Sequence, residues 1–295
     1  MCIRDSVERP PQESVEWTGS EDIWAPDIVK VGKEYRLYCS NSSWGVRQSC
    51  IFLAVADRPE GPFEPKGCVL KTTEKFPQSV TNAIDANIIE DAKTGEQYML
   101  YGSFWGGCHV LKLNRTTGFA EEEGIGVCIA RRPKWQSGSM EGPYMVYNAQ
   151  NNYYYLFVSY GSLTREGGYQ MRVFRSKTVD GEYVDMNGAY PGMWDDNAVY
   201  GLKLSGNYYL PGLNKAYMAT GHNSAFVDED GKKYIVYHTR FDNGQEYHEP
   251  RVHQYFLNQD GWPCMLPYAT DGETIAESGY GISEVAGTYY VIDQG

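Results

Sequence analysis

One pattern recurs four times in this sequence, and it constrains the fold more than any single residue does. Each copy has a polar or acidic cluster, a short apolar strand, a turn rich in Gly, Asp, Asn or Lys, and an aromatic strand ending in a small polar residue. The copies are WAPDIVKVGKEYRLYCS from Trp24, NAIDANIIEDAKTGEQYMLYGS from Asn82, MEGPYMVYNAQNNYYYLFVS from Met140 and GHNSAFVDEDGKKYIVYHT from Gly221. Between them lie further strands of period-two alternation: CIFLAVA from Cys50, CHVLKL from Cys108, YQMRVFRS from Tyr169 and RVHQYFL from Arg251. Measured at Tyr35, Tyr98, Tyr154 and Tyr234, the copies are spaced by roughly 55 to 80 residues. That spacing suits propeller blades of about four strands each, enlarged by loops. A two-sheet sandwich also gives many short strands, but it does not predict a hairpin opened each time by polar residues. The expectation is an all-β propeller with no amphipathic helix.

Composition narrows the partners. A formal charge of −12 argues against a phosphate backbone, which is bound through clustered Lys and Arg. No apolar run reaches the length of about eighteen residues that a membrane span needs. The opening MCIRDSVERP lacks the apolar segment of a signal peptide and runs into a polar, proline-containing lead-in. The cysteines, Cys2, Cys39, Cys50, Cys68, Cys108, Cys128 and Cys264, are odd in number and include no CxxC pair. They read as buried free thiols rather than a metal-thiolate site or a full disulfide framework.

Corresponding residues of successive blades lie at one height around a propeller axis, so the polar groups that open each repeat are expected to converge at one mouth of the channel. Those groups are Asp27, Asp85, Glu141 and His222. Carboxylates gathered in this way need a proton, a hydrogen bond or a cation. The competing reading, turn capping by Asp and Asn, suits Asp27 best and suits Glu141 and His222 least. Trp24, Trp44 and Trp105 are candidates for a sugar platform, since sugars present apolar C–H faces to indole rings. Trp105 leads because the glycines of YGSFWGG permit a close ligand. Asn82, which opens the second repeat, joins Trp24, Asp27 and Trp105 as a substrate-binding candidate. The spacing of His248, Glu249 and His253 suits neither a helical pair nor one strand face, so hydrogen bonding is preferred there to a metal.

The ordered motifs WAPD, NAIDAN, YGSFWGG, MEGPY, YYYLFVSYG, TGHNSAF, VYHTRF, YHEPRVHQ and GWP resemble the arabinanases of glycoside hydrolase family 43, from about Asp22 to Tyr268. The resemblance implies a five-bladed β-propeller, with about four blades in this chain, that hydrolyses α-1,5-linked L-arabinofuranose chains with inversion at the anomeric carbon. Within the family, NAIDAN and YGSFWGG look more like endo-arabinanases than exo-acting arabinofuranosidases or β-xylosidases. A non-catalytic carbohydrate-binding propeller is the alternative from another class. Carried over by motif, Glu141 falls on the general acid and Asp85 on the carboxylate that orients it and keeps it protonated. His222 falls on a histidine that helps hold a calcium ion together with waters. The implied partner is arabinan or an arabino-oligosaccharide, outside the cell.

An inverting glycosidase also needs a general base. In the family this is an aspartate in a segment reading like HDPS, ahead of WAPD. Asp5 and Asp22 do not match that segment, so a start that replaces the first blade, and with it impaired hydrolysis by this chain, is expected. EVAGTYYVIDQG at the other end looks like the opening strand of an additional β domain. The expected organisation is a non-family lead-in over 1–20, a propeller over 21–268, and the start of a C-terminal β domain or a tail over 269–295.

Overall fold

The computed structural model describes residues 6–75, 80–132, 138–190, 199–276 and 278–292; Cys2 and Asp5 lie outside them. Sixteen strands among these residues form four four-stranded sheets. The first holds β1 (Trp24–Val31), β2 (Glu34–Asn41), β3 (Ser49–Ala56) and β4 (Glu64–Thr72) in chain order. The second holds β5 (Asn87–Glu90), β6 (Gln97–Tyr101), β7 (Cys108–Leu113) and β8 (Val127–Ala130). The third holds β9 (Met140–Asn148), β10 (Tyr153–Tyr160), β11 (Gln170–Ser176) and β12 (Leu202–Ser205). The fourth holds β13 (Tyr217–Val227), β14 (Lys233–Phe241), β15 (Glu249–Leu257) and β16 (Pro263–Met265). Four consecutive strands, each beside its chain neighbour, make the blade of a propeller, and every repeat supplies the first two strands of one blade.

By contact the chain divides into one unit of residues 1–158 and 174–202 and another of 159–173 and 203–295. In the first unit, blades one and two share an apolar core in which Tyr38, Ile51 and Leu53 meet Ile88, Met99 and Leu111. Polar staples cross the same boundary. Buried Arg36 donates from Nη1 to the Arg115 carbonyl and from Nη2 to that of Thr116, each at 2.8 Å, and the Tyr38 hydroxyl donates to the Gly118 carbonyl at 2.9 Å. In the second unit Tyr208 and Tyr217 stack at 4.8 Å, with Phe241 edge-on to Tyr217.

Two short helices lie outside the sheets. The lead-in forms a helix, α1 (Gln12–Thr18), which packs on β2, β3 and β4. Proline is tolerated where a helix begins, because the N–H it lacks has no partner there, and Pro11 is the N-cap. Gly19, left-handed at φ 70°, ends the helix and returns its N–H to the Val15 carbonyl at 2.8 Å. Ser14 and Thr18 both donate to Oδ1 of buried Asn41 at 2.7 Å, and Trp17 Nε1 donates to the Ser49 and Thr72 carbonyls. At the other end, residues 284–292 form no strand; a short helix, α2, covers Ile282–Val285. A lone strand would have no ladder to satisfy its backbone.

Candidate active site

A left-handed residue opens every blade. Ala25 (φ 37°), Asp85 (φ 63°), Gly142 (φ 58°) and His222 (φ 51°) stand two positions before Asp27, Asn87, Tyr144 and Ser224. In the first and fourth blades this residue lies within a register shift, between Trp24 and Asp27 and between Gly221 and Ser224. Such a backbone costs a residue other than glycine about 1 to 2 kcal/mol, so something must hold it. The small polar residue that ends the aromatic strand does so. Ser40 Oγ accepts the Asp85 N–H at 2.9 Å, and Ser159 Oγ accepts the His222 N–H at 2.7 Å. Gly221, beside His222, is required by packing, because a Cβ there would lie 2.3 Å from the Tyr169 ring.

Asp85 and His222 therefore share one repeat position, while Asp27 and Glu141 do not. Glu141 precedes the left-handed Gly142 by one residue, and Asp27 follows Ala25 by two. The expectation of four equivalent openers is corrected to this extent: in the first and fourth blades the extra residue of a bulge shifts the apparent alignment. Asp27 and Asn87 are the true equivalents, and they act alike. Asp27 Oδ2 accepts from the Ile88 N–H at 2.7 Å and from Asn87 Nδ2 at 3.2 Å, and Asn87 Oδ1 accepts from the Met145 N–H at 2.9 Å. Each side chain thus latches the first strand of its blade to the first strand of the next. Loss of water pushes the pKa of Asp27 up to about 6, against the pull of the Ile88 and Asn87 donors.

Asp85 and Glu141 are 6% and 7% exposed. Asp85 Oδ2 accepts from the Gly142 N–H at 3.2 Å, so this carboxylate grips the backbone next to Glu141. Ser103 Oγ donates to Glu141 Oε2 at 2.8 Å. Two carboxylates from blades two and three are thus held by named donors within the first unit. Asn82 is committed to the protein: its Oδ1 accepts from Ser49 Oγ at 2.5 Å and its Nδ2 donates to the Val46 carbonyl at 3.4 Å. Trp24 opens β1 opposite Ser40. Trp105 is 36% exposed, with the Arg47 guanidinium 6.0 Å from its ring, and Trp44 is 76% exposed. The glycines next to Trp105 make room for backbone rather than for a ligand. A Cβ on Gly106 would lie 2.4 Å from the Val80 carbonyl oxygen, and one on Gly107 would lie 2.3 Å from that of Ala130.

His222 lies among imidazoles in the second unit. Its ring centroid is 6.2 Å from that of His238, which is 5.0 Å from that of His248 and stacks on Tyr169 at 5.7 Å. Burial first, then His222, His248 and Arg240, pushes the His238 pKa down to about 3. Ring nitrogens are poor partners for calcium, which prefers oxygen, and among the described residues no group of three or more His, Cys, Asp or Glu is placed to hold a metal ion. His253 makes the hydrogen bonds expected of its cluster: its Nδ1 lies 2.7 Å from the Leu266 carbonyl and its Nε2 3.2 Å from the Tyr237 hydroxyl. Glu249 pairs with Arg251 at 2.9 Å.

Ser40, Ser103, Ser159 and Asn87 were not singled out from sequence. The signal for the serines was the small polar residue closing each aromatic strand.

Residues 3–263 match the family described as glycosyl hydrolases family 43. The chain is 38% identical to an extracellular endo-α-(1→5)-L-arabinanase 2 of Bacillus subtilis, over 96% of this chain and 65% of that protein. It superposes on the endo-1,5-α-L-arabinanase of Thermotoga petrophila with a TM-score of 0.83 at 34% identity, covering 94% of this chain and 66% of the other. On a Cellvibrio cellulosa α-L-arabinanase complexed with arabinohexaose the TM-score is 0.74 at 30% identity, covering 88% and 82%. The chain thus spans about two thirds of the length of the first two relatives.

Proposed function

This chain belongs to glycosyl hydrolases family 43, and we propose that it cleaves the α-1,5 links of arabinan from within, with Glu141 as general acid. The observation that carries the proposal is the buried pair: Glu141 held by Ser103, and Asp85 bonded to the N–H of the residue after Glu141. A general acid must keep one geometry toward the leaving oxygen through the reaction. Ser103 fixes one carboxyl oxygen of Glu141. Asp85 fixes the backbone from which Glu141 projects. The left-handed turn at Asp85, held by Ser40, is what aims Asp85 at Gly142. In this reading Glu141 protonates the departing sugar oxygen while water attacks the opposite face of the ring with inversion, its proton passing to a general-base carboxylate that the resemblance places in a segment ahead of WAPD. Relatives named for endo-acting cleavage, and one bound to arabinohexaose, support a polymeric arabinan as substrate. Relatives named extracellular support action outside the cell.

Linear arabinan is the test substrate. Size separation of products is expected to show a ladder of oligosaccharides at early times; release of arabinose alone would move the assignment to an exo-acting enzyme. Glu141→Gln is expected to lower arabinan turnover by ~10² to 10⁴ and to cost much less on an aryl arabinofuranoside whose leaving group scarcely needs a proton. Equal losses on both would remove Glu141 from the acid role.

A further inference from the structure

Strand register brings two cysteines of the first blade together. β3 and β4 pair Cys50 with Lys71, Ile51 with Leu70, and then Phe52 with Cys68, so Val69 is an extra residue on β4. Side chains alternate faces along a strand, and one extra residue sends everything beyond it to the other face. Without this bulge Cys68 would oppose Leu53 and face away from Cys50. With it, Cys68 joins Cys50 and Phe52 on one face. The two Sγ atoms lie 2.8 Å apart, well inside ordinary contact between unbonded sulfurs and beyond the ~2.05 Å of an S–S bond. Helix α1 borders the pair: Glu13 Oε1 accepts the Cys68 N–H at 2.9 Å, and Glu13 Oε2 takes Lys71 Nζ at 3.1 Å. Cys50 is buried and Cys68 half-buried, so an oxidant meets Cys68 first.

We propose that Cys50 and Cys68 form a dithiol site that closes to a disulfide when the chain meets a small-molecule disulfide such as oxidised glutathione. The hydrogen bond from Cys50 and the charge of Lys71 lower the pKa of Cys68, whereas burial raises that of Cys50. Cys68 is therefore the attacking thiolate. It gives its proton to water and attacks one sulfur of the small disulfide. That S–S bond breaks, and one small thiolate leaves and takes up a proton. Cys50 then loses its proton and attacks Cys68 Sγ, expelling the second small thiol. Two protein thiols become one disulfide, and the small disulfide is reduced to two thiols.

The chain is reduced, freed of reductant, exposed to oxidised glutathione, quenched in acid, denatured and labelled with N-ethylmaleimide before peptide mapping. The expected result is a linked peptide pair joining Cys50 to Cys68 and complete loss of label at both, with Cys39 and Cys108 labelled as before. Cys50→Ser is expected to stop at a single glutathione adduct on Cys68. Full labelling of Cys50 and Cys68 in the treated wild-type chain, or linkage of either to another cysteine, overturns the proposal. The mapping of the wild-type chain decides it even where Cys50→Ser folds poorly.

Discussion

Asp27 can be a latch or a catalytic base, and one substitution separates the two. Its folded pKa is raised from 3.8 to about 6, so between those values the folded state holds a proton that the unfolded chain releases. Its contribution to stability is complete below 3.8 and is lost as pH rises through about 6. Asp27→Asn keeps an oxygen for the Ile88 N–H and removes the charge. Urea unfolding is expected to show the variant gaining on the wild type between pH 3.8 and about 6 and holding that gain above. Asp27→Ala leaves the Ile88 N–H without its acceptor and is expected to cost about 1 to 3 kcal/mol. Arabinan hydrolysis is expected to survive Asp27→Asn; its abolition would make Asp27 a base. Ser103 works at the same scale. If Glu141 is the acid as proposed, loss of one hydrogen bond of about 1 to 1.5 kcal/mol to it predicts that Ser103→Ala lowers arabinan turnover roughly tenfold. The effect on an aryl substrate with a good leaving group is expected to be smaller.

The strands were legible because their signal is local and repeated. Period-two alternation in CIFLAVA and CHVLKL marked β3 and β7, and the aromatic strands of the repeats became β2, β6, β10 and β14. The bulges were not legible. A left-handed Ala25 or His222 carries no sequence signal, and the extra residue beside it moves the repeat out of step by an amount that only backbone pairing reveals. Helix α1 was marked at both ends, by Pro10 and Pro11 and by Gly19, but the face it buries is polar. Ser14 is its buried residue, and Asn41 is its anchor, so no apolar stripe announced it. Asn41→Ala removes the acceptor of Ser14 and Thr18 and the donor to the Ser20 and Asp22 carbonyls. The expected outcome is release of α1 from the first blade, seen as faster proteolysis around residues 12–20 and a red shift of Trp17 emission. A variant as resistant to protease as the wild type would show that Trp17 and Glu13 hold the helix without Asn41.

Across the molecule, propeller blades cohere through apolar faces and through bonds between neighbouring first strands. In the first unit those bonds form a chain: Asp27 of blade one takes Asn87 and Ile88 of blade two, and Asn87 takes Met145 of blade three. Arg36 and Tyr38 hold the same first boundary through the loop at Arg115, Thr116 and Gly118. Asn87 is thus the residue on which two boundaries depend, whereas Arg36 serves one. Asn87→Ala strands the buried Met145 N–H and withdraws a donor from Asp27, with an expected cost of about 1 to 3 kcal/mol. A double-mutant cycle separates this chain from the staples. Asp27→Ala and Asn87→Ala share a hydrogen bond and are expected to couple by about 0.5 to 3 kcal/mol. Asn87→Ala and Arg36→Ala share no partner and are expected to add within about 0.5 kcal/mol. Urea unfolding of the four variants of each cycle measures both terms. Additivity of the Asp27 and Asn87 pair would mean that the apolar faces hold these blades and that the latches only set their register.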